Sequence, residues 1–121
     1  VHREVGDLVR RGDPDEYHLA NIRFHDMIYQ GSHNGFLAET TVALRRRLSP
    51  FSRAQFRNLG RMARSFAEHD QIVTAIVRGD GDAAFRAMRA HLATVEHAFE
   101  DYLAEAGRAA RTMAATRRRA P

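Results

Sequence analysis

Apolar residues recur every three to four positions through most of this chain, and no stretch alternates with period two for long enough to make a strand. The pattern predicts an all-α protein, an antiparallel helical bundle. In residues 1–11, Val5, Leu8 and Val9 have helical spacing with no cap before them, which reads as the end of a helix begun upstream. Gly12-Asp13-Pro14 breaks that helix and starts another, with Asp13 as N-cap, Pro14 at the first helical position and Glu16 favourable to the helix dipole. This second helix is expected to end near Gly31, whose missing side chain suits a left-handed C-cap. Asn34 can cap the next helix, where Leu37, Thr41, Leu44 and Leu48 form a stripe, and Ser49-Pro50 ends or kinks it. The Arg-rich stretch through Gly60 reads equally as a short helix or a loop. Ser65 and Glu68 have capping-box spacing and are expected to open a helix with His69, Ile72, Val73 and Ile76 turned inward. After a turn at Gly79-Asp80-Gly81-Asp82, the last helix is expected over about Ala83–Ala106. Its buried face would carry Phe85, Met88, His91, Leu92, Val95, Phe99 and Tyr102.

Four polar residues sit on these apolar stripes. Tyr17, Asn21, Phe24, His25 and Ile28 recur at i, i+4, i+7, i+8 and i+11, one face of a 3.6-residue period, so Asn21 and His25 point inward one turn apart. His69 and His91 lie on the inward stripes of two further helices. A lone inward histidine is ordinarily a hydrogen-bonded core residue. Three of them with an amide are harder to bury, because an imidazole without partners costs about 2 kcal/mol or more. A divalent cation satisfies them together, taking neutral imidazole nitrogens and an amide oxygen. Three nitrogens and one oxygen leave coordination positions for water or a carboxylate. Zinc, nickel and manganese all suit such a set.

Composition narrows the chemistry. The 121 residues are 44% hydrophobic, enough for one domain with a real core. There is no cysteine, which excludes disulfides, thiolate metal sites and cysteine nucleophiles. Apolar runs fall far short of the ~20 residues a membrane-spanning helix needs, and no leader pattern opens the chain. The reading is therefore of a cytoplasmic protein with no membrane partner. The net charge of +4 is unevenly placed. Arg108, Arg111, Arg117, Arg118 and Arg119 have no acid among them, whereas residues 1–107 carry 14 arginines against 15 acids. The globular part is thus not basic. The tail over residues 108–121 reads as a solvated, frayed end, with no aromatic residue interleaved for stacking on nucleic acid.

Beyond this physical pattern, the residues resemble a known family. The run Asn21-Ile22-Arg23-Phe24-His25 is followed by Ser32-His33-Asn34, Glu68-His69, Gln71-Ile72, Ala75-Ile76, Gly79-Asp80, Ala83-Ala84, Met88 and His91-Leu92. Together they resemble the FCD domain, the effector-binding C-terminal domain of FadR-type GntR-family transcription regulators, over roughly residues 5–103. The resemblance implies an antiparallel helical bundle whose interior binds a divalent metal through an Asp, a His one turn later and two further histidines. A small carboxylate completes the site, and a separate N-terminal winged helix binds operator DNA as a homodimer. Carried onto this chain, the histidines are His25, His69 and His91, and the Asp position is held by Asn21. An amide oxygen can ligate but adds no negative charge. The winged helix and the opening effector-domain helix are expected to lie outside residues 1–121.

Other residues have plainer readings. Glu68 could serve a metal-bound water as general base, but its capping-box spacing explains it more simply. Arg45, one turn after Thr41, is a candidate to bind an effector carboxylate bidentately. In the run Arg45-Arg46-Arg47 at most one can point inward, and solvated surface is the simpler reading. His2, His18, His33 and His97 fall off the clearest stripes or near helix ends, and Phe85 with Met88 reads as ordinary core. The expectation is thus a non-catalytic effector-sensing bundle over residues 1–107, binding a small organic acid at a buried divalent metal and acting on DNA only through an absent module. The alternatives are a metal-dependent hydrolase on a helical bundle and a metal-free dimerisation domain.

Overall fold

The computed structural model describes residues 2–119 and contains, among them, six helices and no strand. These are α1 (His2–Arg11), α2 (Pro14–Gly31), α3 (Gly35–Arg47), α4 (Ser49–Gln55), α5 (Leu59–Val77) and α6 (Gly81–Arg119). The all-α bundle expected from the periodicity is what forms. None of these helices is long and apolar enough to cross a membrane.

The breaks are made by local chemistry. Gly12 takes φ +68°, a left-handed conformation that only glycine adopts without strain, and Asp13 then accepts a hydrogen bond from the Glu16 N–H at 3.0 Å with Pro14 behind it. Asn34 caps α3 by accepting from the Leu37 N–H at 3.1 Å. Asp80 caps α6 by accepting from the Ala83 N–H at 2.8 Å, after Gly79 has turned the chain at φ +70°. At the end of α2 the structure differs from expectation. Gly31 remains helical, and His33 takes the left-handed conformation at φ +54° while the Ser32 hydroxyl donates to the Tyr29 carbonyl.

A larger difference lies at α5. The ambiguous stretch resolves into α4 followed by Asn58, which caps α5 by accepting from the Arg61 N–H at 3.2 Å. The helix therefore begins six residues before Ser65, and Ser65 is a buried mid-helix residue, not a cap. Without the cap, Glu68 is free for another role. The last helix also outruns its expected end at Ala106 and continues through residues 108–119, where Ala and Arg are strong helix formers.

The main apolar core is a cluster of Val5, Leu8, Tyr17, Ala20, Phe56 and Met62, bringing α1, α2 and α5 around the residue that follows α4. Tyr17 meets Phe56 edge-on with ring centroids 4.8 Å apart, a favoured geometry for an aromatic pair. A second apolar contact, Phe51 against Phe99 and Tyr102, fixes α4 on α6. α5 and α6 pack along each other as a helical hairpin, and α1 lies against α2 and α5. This arrangement places one face of α2 opposite the α5–α6 pair.

Several expected core positions are exposed. α3 buries no residue: its stripe members Leu37 and Leu44 face outward, and Leu48 at its end is exposed as well. The same holds for Ile76 on α5 and for Phe85 and Leu92 on α6. The reason is geometric. These residues lie on the parts of their helices that no neighbouring helix covers.

Candidate metal centre

His25 comes from α2, His69 from α5 and His91 from α6, and all three are at least 97% buried. One potential ligand nitrogen from each lies within 4.8 Å of the other two. The closest pair, His69 Nε2 and His91 Nε2, is 3.4 Å apart. That is about the separation of two nitrogens sharing one ion at bonds of ~2.1 Å in a tetrahedral arrangement. Phe24 stacks on one face of His69 at 4.1 Å and 18°, which covers that side of the imidazole.

Glu68 sets the orientation of His91. Its Oε2 lies 2.7 Å from His91 Nδ1. A carboxylate can only accept, so Nδ1 carries the hydrogen and Nε2 is left with its lone pair aimed at the other histidines. Arg61 and Arg64 hold Glu68 in turn, at 3.5 Å from Oε2 and 3.2 Å from Oε1. The capping role expected for Glu68 is thereby replaced by a chain running Arg61, Glu68, His91. Neither is Glu68 placed as a base for a water among the three histidines, because it sits behind His91 with its inner oxygen already engaged.

The electrostatics keep His25 and His91 neutral. Burial holds the His25 pKa far below its ordinary value, helped by the Arg45 cation and the two other histidines. Burial lowers His91 too, partly offset by its bond to Glu68. Neutral rings are what a metal requires of them. His25 Nδ1 is fully buried with no hydrogen-bond partner, as is Arg61 Nη2 nearby. Buried polar atoms without partners are costly, and their gathering here fits a site built around something polar.

The expected fourth member, Asn21, is buried and lines a small chamber of about 30 Å³ together with His25, His91, Arg45, Arg61 and Ser65. This is room for a single ion or water. Arg45 is half-buried at the chamber's edge, its guanidinium carbon 6.0 Å from the centre of the Tyr29 ring, so it is the inward member of its run while Arg46 and Arg47 are exposed. Of the other histidines, His97 is exposed beside Glu100, but His18 is buried with its Nδ1 unpartnered. The sequence reading set His18 aside with the off-stripe histidines, took Ser65 for a cap and did not single out Arg61. Ser65 lies one turn before His69 and His18 one turn before Asn21, and that spacing was the available signal. The three clustered imidazoles, one of them oriented by a carboxylate, could hold a metal ion.

No curated protein and no solved structure matches the chain significantly. The FCD domain, the regulatory effector-binding domain of GntR-type transcription regulators, matches residues 1–94, a stretch that takes in Asn21 and all three clustered histidines, and the chain therefore belongs to the FCD family.

Proposed function

We propose that this chain is the ligand-sensing part of a cytoplasmic, homodimeric GntR-type regulator, in which a small organic acid binds at a buried divalent ion held by His25, His69, His91 and Asn21. Occupancy of the site biases a winged-helix module outside these residues, and so operator binding. The observation that carries this reading is the meeting of three buried imidazoles from three helices, one of them turned by Glu68 so that its Nε2 lies 3.4 Å from the next. A divalent ion there supplies a positive centre that accepts a carboxylate oxygen. Asn21 adds an oxygen without a charge, which leaves the centre more dependent on the anion. Arg45, at the chamber's edge, would pair with a carboxylate that approaches the ion. The role is sensing and not turnover, since Glu68 lies on the far side of His91 and is already engaged by Arg61 and His91.

Thermal denaturation tests this directly. A ligand that binds only the folded state adds RT ln(1 + [L]/Kd) to stability. Small carboxylates should raise Tm in zinc-loaded protein and not after chelation. A broad acid screen without any shift in loaded protein, or with the same shift after chelation, would contradict it.

A further inference from the structure

Arg45 and Ser52 line two spaces at once. One is the inner chamber of about 30 Å³ at Asn21, His25 and His91, and the other is a cleft of about 290 Å³ between α2, α3 and α4. The cleft is bounded by His18, Ile22, Asp26, Val42, Arg46 and Ser49 as well as this shared pair. Arg45 and Ser52 therefore stand at the junction between the chamber and the cleft. An acid held only at the junction would leave the cleft unused.

The chemistry of the outer part is that of an anion site. His18 is 93% buried, lines the cleft and has no partner for its Nδ1. Arg46, Ser49 and Ser52 add donors, and Asp26 is the single carboxylate in that lining. Charge points the same way. Arg45, Arg46 and Arg61 line the two spaces against the one carboxylate Asp26, with Glu68 pairing Arg61 from outside them, and a divalent ion held by three histidines and Asn21 would keep both of its charges. One carboxylate leaves this assembly strongly positive. On α2, His18 precedes Asn21 by three residues, so the outer and inner polar groups are separated by about 5 Å along the helix axis. That is the span of a short-chain diacid.

We propose that the effector is a short dicarboxylate, one carboxylate at the junction beside Arg45 and Ser52, facing an ion held by the histidines, and the other in the cleft among His18, Arg46 and Ser49. This takes the metal-assisted pocket of the preceding section as given.

Titration calorimetry of zinc-loaded protein with chain-matched pairs of acids tests it: malonate against propionate, succinate against butyrate, glutarate against valerate. At least one diacid should bind about ten-fold or more tightly than its monoacid, the effect of one added charge-assisted contact. Arg46 is exposed and outside the core, so Arg46→Gln should keep its helical content while the diacid preference collapses, and Arg46→Lys should restore part of it. Equal affinity for diacid and monoacid in all three pairs would overturn the dicarboxylate while leaving a metal-assisted carboxylate sensor standing. A preference undiminished by Arg46→Gln would overturn the placement of the second carboxylate. If zinc-free protein bound the acids as well as zinc-loaded protein, the metal-assisted reading would fall instead. Binding of none of the six acids at millimolar concentration would overturn both.

Discussion

Glu68 Oε2 accepts a hydrogen bond from His91 Nδ1 at 2.7 Å, across the α5–α6 contact and on the side of the ring away from the histidine cluster. The bond fixes which nitrogen of His91 is free and where it points. Glu68→Gln keeps an acceptor but removes the charge that both His91 and Arg61 use. Zinc affinity should fall about 10- to 100-fold, as for other groups that orient a ligating imidazole. Competition against a zinc-chelating dye measures it, and an unchanged affinity would mean that Glu68 only packs there.

Restoring a carboxylate at position 21 should act in the opposite direction. Asn21 lines the chamber beside His25 and His91, and an aspartate there would offset one of the ion's charges. Asn21→Asp should tighten zinc binding in calorimetry, whereas equal or weaker binding would show that residue 21 does not ligate.

The metal-free protein should lose stability in acid in a particular window. The folded-state pKa values of His25, His91 and His18 are held below the ordinary 6.5, in each case chiefly by burial. As pH falls through about 6.5 the unfolded chain takes up protons on these rings and the folded chain does not, so unfolding is favoured. Stability is then fully present above that pH and declines below it. In a chelator, Tm should be nearly flat between pH 8 and pH 7 and fall steadily from pH 6.5 to 5. A Tm that rose over the lower interval would contradict neutral burial of these histidines.

The contrast between α3 and α5 gives a stability test. Ile72 is buried and its replacement by Ala should cost about 2–5 kcal/mol, while exposed Leu44→Ser should stay within about 0.5 kcal/mol. Urea denaturation of the two variants distinguishes them. A large loss from Leu44→Ser would show that α3 is covered in solution, for instance by a second copy.

The histidine cluster was legible because helical periodicity needs no tertiary information to say which side of a helix a residue occupies. His25, His69 and His91 each fall in register with apolar neighbours three or four positions away, and burial of the register buries them. Periodicity says less about width. Phe85, Leu92 and Ile76 belong to apolar stripes but lie outside the strip that the neighbouring helix covers. The start of α5 was missed because Ser65 and Glu68 imitate a capping box. The competing signal was a continuous stripe, Met62, Ser65, His69, Ile72 and Ala75, which runs through Ser65 and requires the helix to begin earlier. The roles of Glu68 and Arg61 were beyond reach, since the bond to His91 joins residues 23 positions apart and depends on how α5 and α6 are packed.

Metal content is the most direct measurement of the central claim. The protein, dialysed against excess zinc and then against metal-free buffer at neutral pH, should retain one zinc per chain by elemental analysis. His69→Ala together with His91→Ala removes two of the three clustered imidazoles and should abolish retention while the far-ultraviolet circular dichroism stays helical. Retention by the double variant equal to that of the unaltered chain, or no retention by the unaltered chain, would contradict a metal centre at His25, His69 and His91.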